Sequence, residues 1–224
     1  MITAANDEFF LPTDSRYWWE EMPQHEELNR LLILPNSCHS CGEELFARQS
    51  TLSSWVGLLL ADRQLPSLSW SQDPVTGDIT LTSDRDPVVV EVWSAPSCSQ
   101  ERRDWRVANL DEPCTCGTSD SGVCFNEVSI WTSEPLEETS KGYSTMLEYH
   151  PQLDDVPGSR TWVAHRDPPE DGRFLAFYVS VQYNVDEELG RDGGTMEFST
   201  TVSVVPDVFP FPECYAEDCL GSLL

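Results

Sequence analysis

Residues 28–39 read Leu28-Asn29-Arg30-Leu31-Leu32-Ile33-Leu34-Pro35-Asn36-Ser37-Cys38-His39, and this stretch decides the fold. A nearly unbroken apolar run of strand length, stopped by Pro-Asn, is the pattern of a parallel strand covered on both faces. His39 then falls just past the C-terminal end of that strand.

Working outward, Met1 to Ala5 is short and apolar and leads into Asn6-Asp7, and Phe9-Phe10-Leu11-Pro12 reads as the end of a strand entering a loop. Thr13-Asp14-Ser15 offers N-cap side chains to a short helix over Arg16–Met22, which Pro23 closes. Beyond Gly42, Leu45, Leu52, Trp55, Val56, Leu59 and Leu60 recur at three- and four-residue spacing, one apolar stripe on a helix of about 16 residues. Two strands and two helices over residues 1–63 make the tail of an α/β domain.

After Pro66 the texture becomes β-branched and aromatic. Residues 78–82, 88–93, 105–107, 128–131, 145–149, 174–185 and 197–205 read as short strands separated by turn-rich segments such as Pro157-Gly158. Seven short strands over residues 64–213 predict an antiparallel β-sandwich-like domain, with a Cys-rich insert at about 111–138 read as an exposed loop held by disulfides. A Cys-containing tail, residues 214–224, completes the chain. The fold class expected is α/β plus all-β.

Thirteen basic against 39 acidic residues give a formal charge of -26, which repels nucleic acid and anionic lipid; the expected partner is a protein or a small-molecule ligand. The apolar stretch around Trp55–Ala61 falls far short of the ~20 residues that span a bilayer, so no transmembrane segment is expected. Cys38, Cys41, Cys98, Cys114, Cys116, Cys124, Cys214 and Cys219 are an even set typical of an oxidised, extracellular framework, yet Met1-Ile-Thr-Ala-Ala leads at once into Asn-Asp-Glu with no signal-peptide pattern. The expectation that reconciles the two is an export signal upstream of Met1 in a longer, secreted product.

Asp7 and His39 each follow a strand end, in that chain order. In α/β-hydrolases the order is nucleophile, acid, base, with the acid and the histidine on loops after late strands. The base accepts the nucleophile's proton, and the buried carboxylate holds the imidazole in one tautomer and stabilises the imidazolium. Asp7 is therefore the candidate acid and His39 the candidate base. Asp14 competes for the acid role but reads as a capping residue, and His25, His150 and His165 sit where linker, surface or strand roles fit. A strand-to-helix serine elbow belongs upstream of the acid, and six residues precede Asp7. The nearest internal match, Gly117-Thr-Ser-Asp-Ser-Gly122, has the wrong spacing and lies after the histidine.

Cys38 and Cys41 bracket His39. As thiols they could join His39 and the Cys114/Cys116 pair on zinc, but two C-x-x-C knuckles at finger spacing are not present, and the motif does not open a helix in a βαβ unit as a redox site would. Structural disulfides are the expected state, with no metal and no cofactor.

Three segments, Asn6–Ser40 (NDEFFLPTDSRYWWEEMPQHEELNRLLILPNSCHS), Val88–Val107 (VVVEVWSAPSCSQERRDWRV) and Phe198–Cys214 (FSTTVSVVPDVFPFPEC), resemble the PhoPQ-activated pathogenicity-related family, which includes autocrine proliferation repressor proteins. The resemblance implies an α/β-hydrolase domain followed by a β-rich domain in a secreted or cell-surface protein, with this chain as its C-terminal portion. It places Asp7 on the aspartate of the family's D-E-F-F-L-P-D-like segment and His39 on the histidine of its P-N-A-E-H-S-like segment. Arg102-Arg103-Asp104-Trp105-Arg106 matches an R-R-D-F-R-like signature to which sequence assigns no purpose. The family's upstream S-K-R-G-W-like serine elbow is absent here, and Ser37-Cys38 replaces its Ala-Glu. The reading that follows is a portion of a serine-hydrolase-like protein with an esterase- or peptidase-type acid and base, inactive alone. The alternative is an extracellular binding or signalling module acting through the sandwich.

Overall fold

The structure is a computed structural model and describes residues 1–23, 30–42, 44–110, 113–139, 159–190, 192 and 194–209. Strands β1 (Ile2–Ala4) and β2 (Leu32–Leu34) pair in parallel, Ile2 opposite Leu32 and Ala4 opposite Leu34. Leu31 to Leu34 are all buried, as an apolar run covered on both faces requires. Because the pair is parallel, both C-terminal ends leave at one edge. There the Ala5 and Asn6 N–H groups donate to the Leu34 and Ser37 carbonyls at 2.9 and 3.1 Å, holding the two exits together. The expected helix after Thr13 is a single 3-10 turn, Asp14–Tyr17, and its N-cap Thr13 makes no side-chain capping bond.

Helix α1 (Leu45–Leu60) has the expected length of 16 residues but buries a different face. Thr51, Ser54 and Leu58 are buried, whereas Leu45, Leu52, Val56, Leu59 and Leu60 are exposed. The physical reason lies in what the helix docks on. The Glu197 N–H donates to Thr51 Oγ1 at 3.0 Å and Ser50 Oγ donates to the Thr195 carbonyl at 3.1 Å, so small hydroxylic residues let the helix approach a strand closely.

In chain order the remaining strands are β3 (Leu68–Gln72), β4 (Ile79–Ser83), β5 (Val89–Pro96), β6 (Ala108–Asn109), β7 (Gly117–Asp120), β8 (Val123–Asn126), β9 (Thr132–Pro135), β10 (Arg160–Ala164), β11 (Leu175–Asn184), β12 (Thr195–Ser199) and β13 (Ser203–Val205), with one helical turn α2 (Asp186–Leu189) before β12. Two antiparallel sheets form, ordered β10-β4-β3 and β12-β11-β5-β9, with β13 also on β11. Leu68, Ile79, Leu81 and Trp162 of the first share one apolar cluster with Val90, Val92, Phe177, Val179 and Val181 of the second. The opposite face of the second sheet, through Ala95, Ala176 and Tyr178, forms another cluster with Ala5, Leu31 and Ile33. Strand β11 is thus buried on both faces, consistent with its near-continuous apolar sequence.

The N-terminal elements share both clusters with the β-region, Leu58 in one and Ala5, Leu31 and Ile33 in the other. The outer edge of β2 is closed the same way: the Ser199 N–H donates to the Leu31 carbonyl at 2.7 Å, the Ile33 N–H to Ser199 Oγ at 3.1 Å, and the Tyr178 hydroxyl to the Ile33 carbonyl at 3.4 Å. Burial pushes the Tyr178 hydroxyl well above its ordinary titration range, so it stays a neutral donor.

Residues 105–107 and 128–131 are not strands. Their aromatic residues fill the second cluster from irregular backbone, Trp105 fully buried with its indole N–H on the Ala95 carbonyl at 3.0 Å, and Trp131 2% exposed. Residues 145–149 lie outside the described residues. The Cys-rich segment is more ordered than a loop: β6, β8 and β7 make a small sheet, disulfides join Cys98 to Cys116 and Cys114 to Cys124, and β9 extends the main sheet. Cys214 and Cys219 lie outside the described residues. No helix among the described residues is long and apolar enough to cross a membrane.

Candidate functional site

The loop after β1 begins with Asp7, whose side chain is only 6% exposed. Its Oδ1 accepts the backbone N–H groups of Phe9 at 2.8 Å and Phe10 at 3.0 Å, an Asx-type turn that fixes the carboxylate plane. The other oxygen, Oδ2, lies 2.9 Å from His39 Nδ1 in the loop after β2. An ionised carboxylate only accepts, so Nδ1 carries the proton and the lone pair of the neutral ring resides on Nε2. No described residue hydrogen-bonds to Nε2, and the His39 side chain is 51% exposed.

The rest of the surroundings holds the ring in place. The His39 backbone N–H donates to Glu8 Oε2 at 2.8 Å. The Phe9 ring meets the imidazole edge-on with centroids 4.9 Å apart, and Phe10 lies 5.9 Å away. Both phenyl rings are largely exposed, at 73% and 59%, so an apolar rim surrounds the half-open imidazole. A base with a fixed tautomer, a buried acid partner and an accessible second nitrogen can take a proton from a group presented to Nε2.

Asp14 stands in the 3-10 turn, where burial pushes its carboxyl up and the neighbouring Asp7 charge adds to the rise; Asp7 is the residue hydrogen-bonded to His39. His165 pairs with Asp78 instead, Nδ1 to Oδ1 at 2.6 Å on the exposed surface. His25 and His150 lie outside the described residues. Gly117–Asp120 is an exposed strand running into a hairpin at Ser121-Gly122, both at positive φ, so this stretch is not a serine elbow between strand and helix.

Cys38 and Cys41 form a turn, with the Cys41 N–H on the Cys38 carbonyl at 2.8 Å and Cys38 Sγ 3.0 Å from Ser40 Oγ. Cys114 and Cys116 are bonded to Cys124 and Cys98, so they do not complete a zinc set with His39. Among the described residues no group of three or more His, Cys, Asp or Glu side chains is arranged to hold a metal ion.

Residues 1–106 match the model of the family described as PhoPQ-activated pathogenicity-related protein. Over that span the chain is similar to this family. The matched span holds β1, β2, the Asp7–His39 pair and the Arg102–Arg106 signature. A curated relative, autocrine proliferation repressor protein A of Dictyostelium discoideum, is 26% identical over 227 residues, covering 98% of this chain. The chain spans 40% of that relative's length. No solved structure matches.

Sequence reading missed two residues that the structure ties to the pair, Asn6 and Asn36. Each lies in the turn that follows a strand end, and an asparagine there can bond backbone groups that the strand ladder leaves open. Glu8 was missed as well, because a surface glutamate carries no periodic signal.

Proposed function

We propose that Asp7 and His39 are the acid and base of a serine-hydrolase-type triad, and that this chain is the acid–base portion of a hydrolase-like protein, without hydrolytic activity on its own. The observation that carries the reading is the Asp7 carboxylate, which divides its two oxygens between the backbone of its own loop and the His39 imidazole. A residue that merely capped a turn would need only the first half of that arrangement. The parallel pairing of β1 and β2, which delivers both loops to one edge, supports it.

Fluorophosphonate labelling and p-nitrophenyl acetate hydrolysis test the proposal. The chain alone gives no labelling and no turnover above buffer. A longer polypeptide that carries a serine elbow is labelled, and Asp7→Ala and His39→Ala abolish its turnover. Turnover by this chain alone that disappears in His39→Ala overturns the proposed inactivity.

A second reading is an extracellular binding or signalling module. It is favoured by the reach of the match to the proliferation repressor, which continues through the β-region beyond residue 106, where the family model stops. Removing residues 1–63 cannot separate the readings, because Ala5, Leu31, Ile33 and Leu58 complete the apolar clusters of the β-region. The discriminating experiment adds intact chain and His39→Ala to cells. Equal growth repression by both assigns the effect to binding, and repression lost with His39 assigns it to chemistry.

A further inference from the structure

Each strand-end loop of the Asp7–His39 pair is held at an asparagine by irregular backbone of the β-region. Asn6, adjacent to Asp7 and 5% exposed, donates through Nδ2 to the carbonyls of Trp105 at 2.6 Å and Ser129 at 3.0 Å, and its own carbonyl accepts the Val107 N–H at 3.0 Å. Asn36, three residues before His39, grips Trp131 at both backbone groups: Nδ2 donates to the carbonyl at 2.9 Å and Oδ1 accepts the N–H at 2.8 Å. Asn36 sits at φ 51°, a left-handed conformation that asparagine tolerates better than most residues.

The segment being gripped is itself braced. Asn126 Oδ1 accepts the N–H groups of Val128 and Ser129 at 2.9 and 3.0 Å, while its Nδ2 donates to the Arg106 carbonyl at 3.0 Å and to Ser129 Oγ at 2.9 Å. The Glu127 N–H donates to the carbonyl of Cys116, which is disulfide-bonded to Cys98. Two independent tethers therefore run from one braced segment to the two loops whose side chains must meet.

We infer that Asn6 and Asn36 are positioning residues for the acid–base pair, so that the 105–131 segment of the β-region sets the distance between Asp7 and His39. This rests on the reading of that pair given above. The strand pair alone does not fix the distance, since β1 and β2 end two or more residues before either side chain and the chain between is loop. Each tether sits close to its target in the chain: Asn6 abuts Asp7, and Asn36 is three residues from His39.

The test is the imidazole Nδ1–H resonance of His39 in the intact, ¹⁵N-labelled chain. Wild type shows a downfield signal that disappears in His39→Ala and Asp7→Ala. Asn36→Gly keeps the positive φ and removes both bonds to Trp131; its signal exchanges with water about tenfold faster, the factor expected for losing about 1.4 kcal/mol of hydrogen bonding. Asn36→Asp retains the acceptor to the Trp131 N–H and falls between the two. Asn6→Ala behaves like Asn36→Gly where it folds, and Asn36→Gly decides the matter where it does not. An unchanged signal in Asn36→Gly, whatever its melting temperature, overturns the positioning role and leaves the pair standing. A wild-type spectrum with no such signal overturns the pair and the inference with it.

Discussion

Asp207 is the residue whose removal reports most directly on what the Arg102–Arg106 signature does. Its carboxylate accepts from Arg16 at 3.0 and 2.8 Å and from Arg103 at 2.9 Å, joining the 3-10 turn after β1, the signature and the segment after β13. The two arginines are not equivalent. Arg103 has a side chain 6% exposed, whereas Arg16 is 27% and Asp207 35% exposed. Truncating Arg16 breaks a surface pair and costs about 0–1 kcal/mol. Truncating Asp207 strands a buried guanidinium, for which a fully buried pair would lose about 3–5 kcal/mol. Exposure of the carboxylate and the Phe209 ring 4.6 Å from the Arg103 guanidinium moderate that to about 2–3 kcal/mol. At about 2–4 °C per kcal/mol for a chain of this size, Asp207→Ala lowers Tm by roughly 4–12 °C and Arg16→Ala by no more than about 4 °C. The hydrogen bond from Arg16, then that from Arg103, hold the Asp207 carboxyl below its usual range. A depressed folded-state value gives stability that is present above pH about 3.8 and lost as pH falls through the lower value, so the deficit of Asp207→Ala is full at pH 7 and shrinks only in acid. Urea unfolding followed by circular dichroism, with a double-mutant cycle over Arg103 and Asp207, measures both. A coupling below about 0.5 kcal/mol, or a cost of Asp207→Ala no larger than that of Arg16→Ala, refutes the assignment.

Other substitutions separate packing from surface effects. Leu58→Ala empties a fully buried position between α1 and the sandwich and costs about 2–5 kcal/mol, while Leu60→Ala at 84% exposure stays within about 0.5 kcal/mol; equal melting temperatures for the two would contradict the orientation of the helix. Reducing Cys98–Cys116 or Cys114–Cys124, with sequence separations of 18 and 10, releases loop-closure constraints of about 3 kcal/mol each on the chain-entropy account, visible as a lower urea midpoint after thiol treatment. Glu197 carries a carboxyl raised by burial, which the Ser180 hydroxyl bond only partly offsets. A raised folded-state carboxyl penalises folding once pH exceeds its unfolded value near 4.5, so Glu197→Gln stabilises at pH 7 and gives no gain at pH 4, as paired thermal melts would show.

The parts of the structure legible in sequence are those where one residue pattern has one physical cause. The run at Leu31–Leu34 could only be covered on both faces, and β11 reads the same way. Alternation at Val88–Trp93 and residues 78–82 found β5 and β4 for the same reason. Helix α1 shows where pattern and cause separate. Its length followed from spacing, but its docking face did not, because Thr51 is buried by a hydrogen bond from β12 and Ser54 by close approach, not by hydrophobicity. Trp105 and Trp131 misled in the opposite direction: large aromatic residues beside β-branched ones read as strand, yet they are core plugs on irregular backbone. Strands β3 and β7 escaped notice, being rich in Ser, Thr or Gly, where partners across the sheet rather than intrinsic preference decide the conformation.

The same distinction applies at the candidate site. Asp7 and His39 were visible because strand ends impose a position on whatever follows them, and the parallel register of β1 and β2 brings the two loops to one edge. What turns that proximity into a hydrogen bond at 2.9 Å was not visible, since it depends on Asn6 and Asn36 reaching residues 95 to 123 positions further along the chain. Local sequence can place an acid and a base at one sheet edge to within a loop's length. Holding them within hydrogen-bonding distance takes contacts from a second part of the chain, here the braced 105–131 segment. If that is so, a β-region change remote from His39, such as Asn126→Ala, disturbs the His39 Nδ1–H signal by releasing Ser129, while Leu60→Ala on the open face of α1 leaves it unchanged.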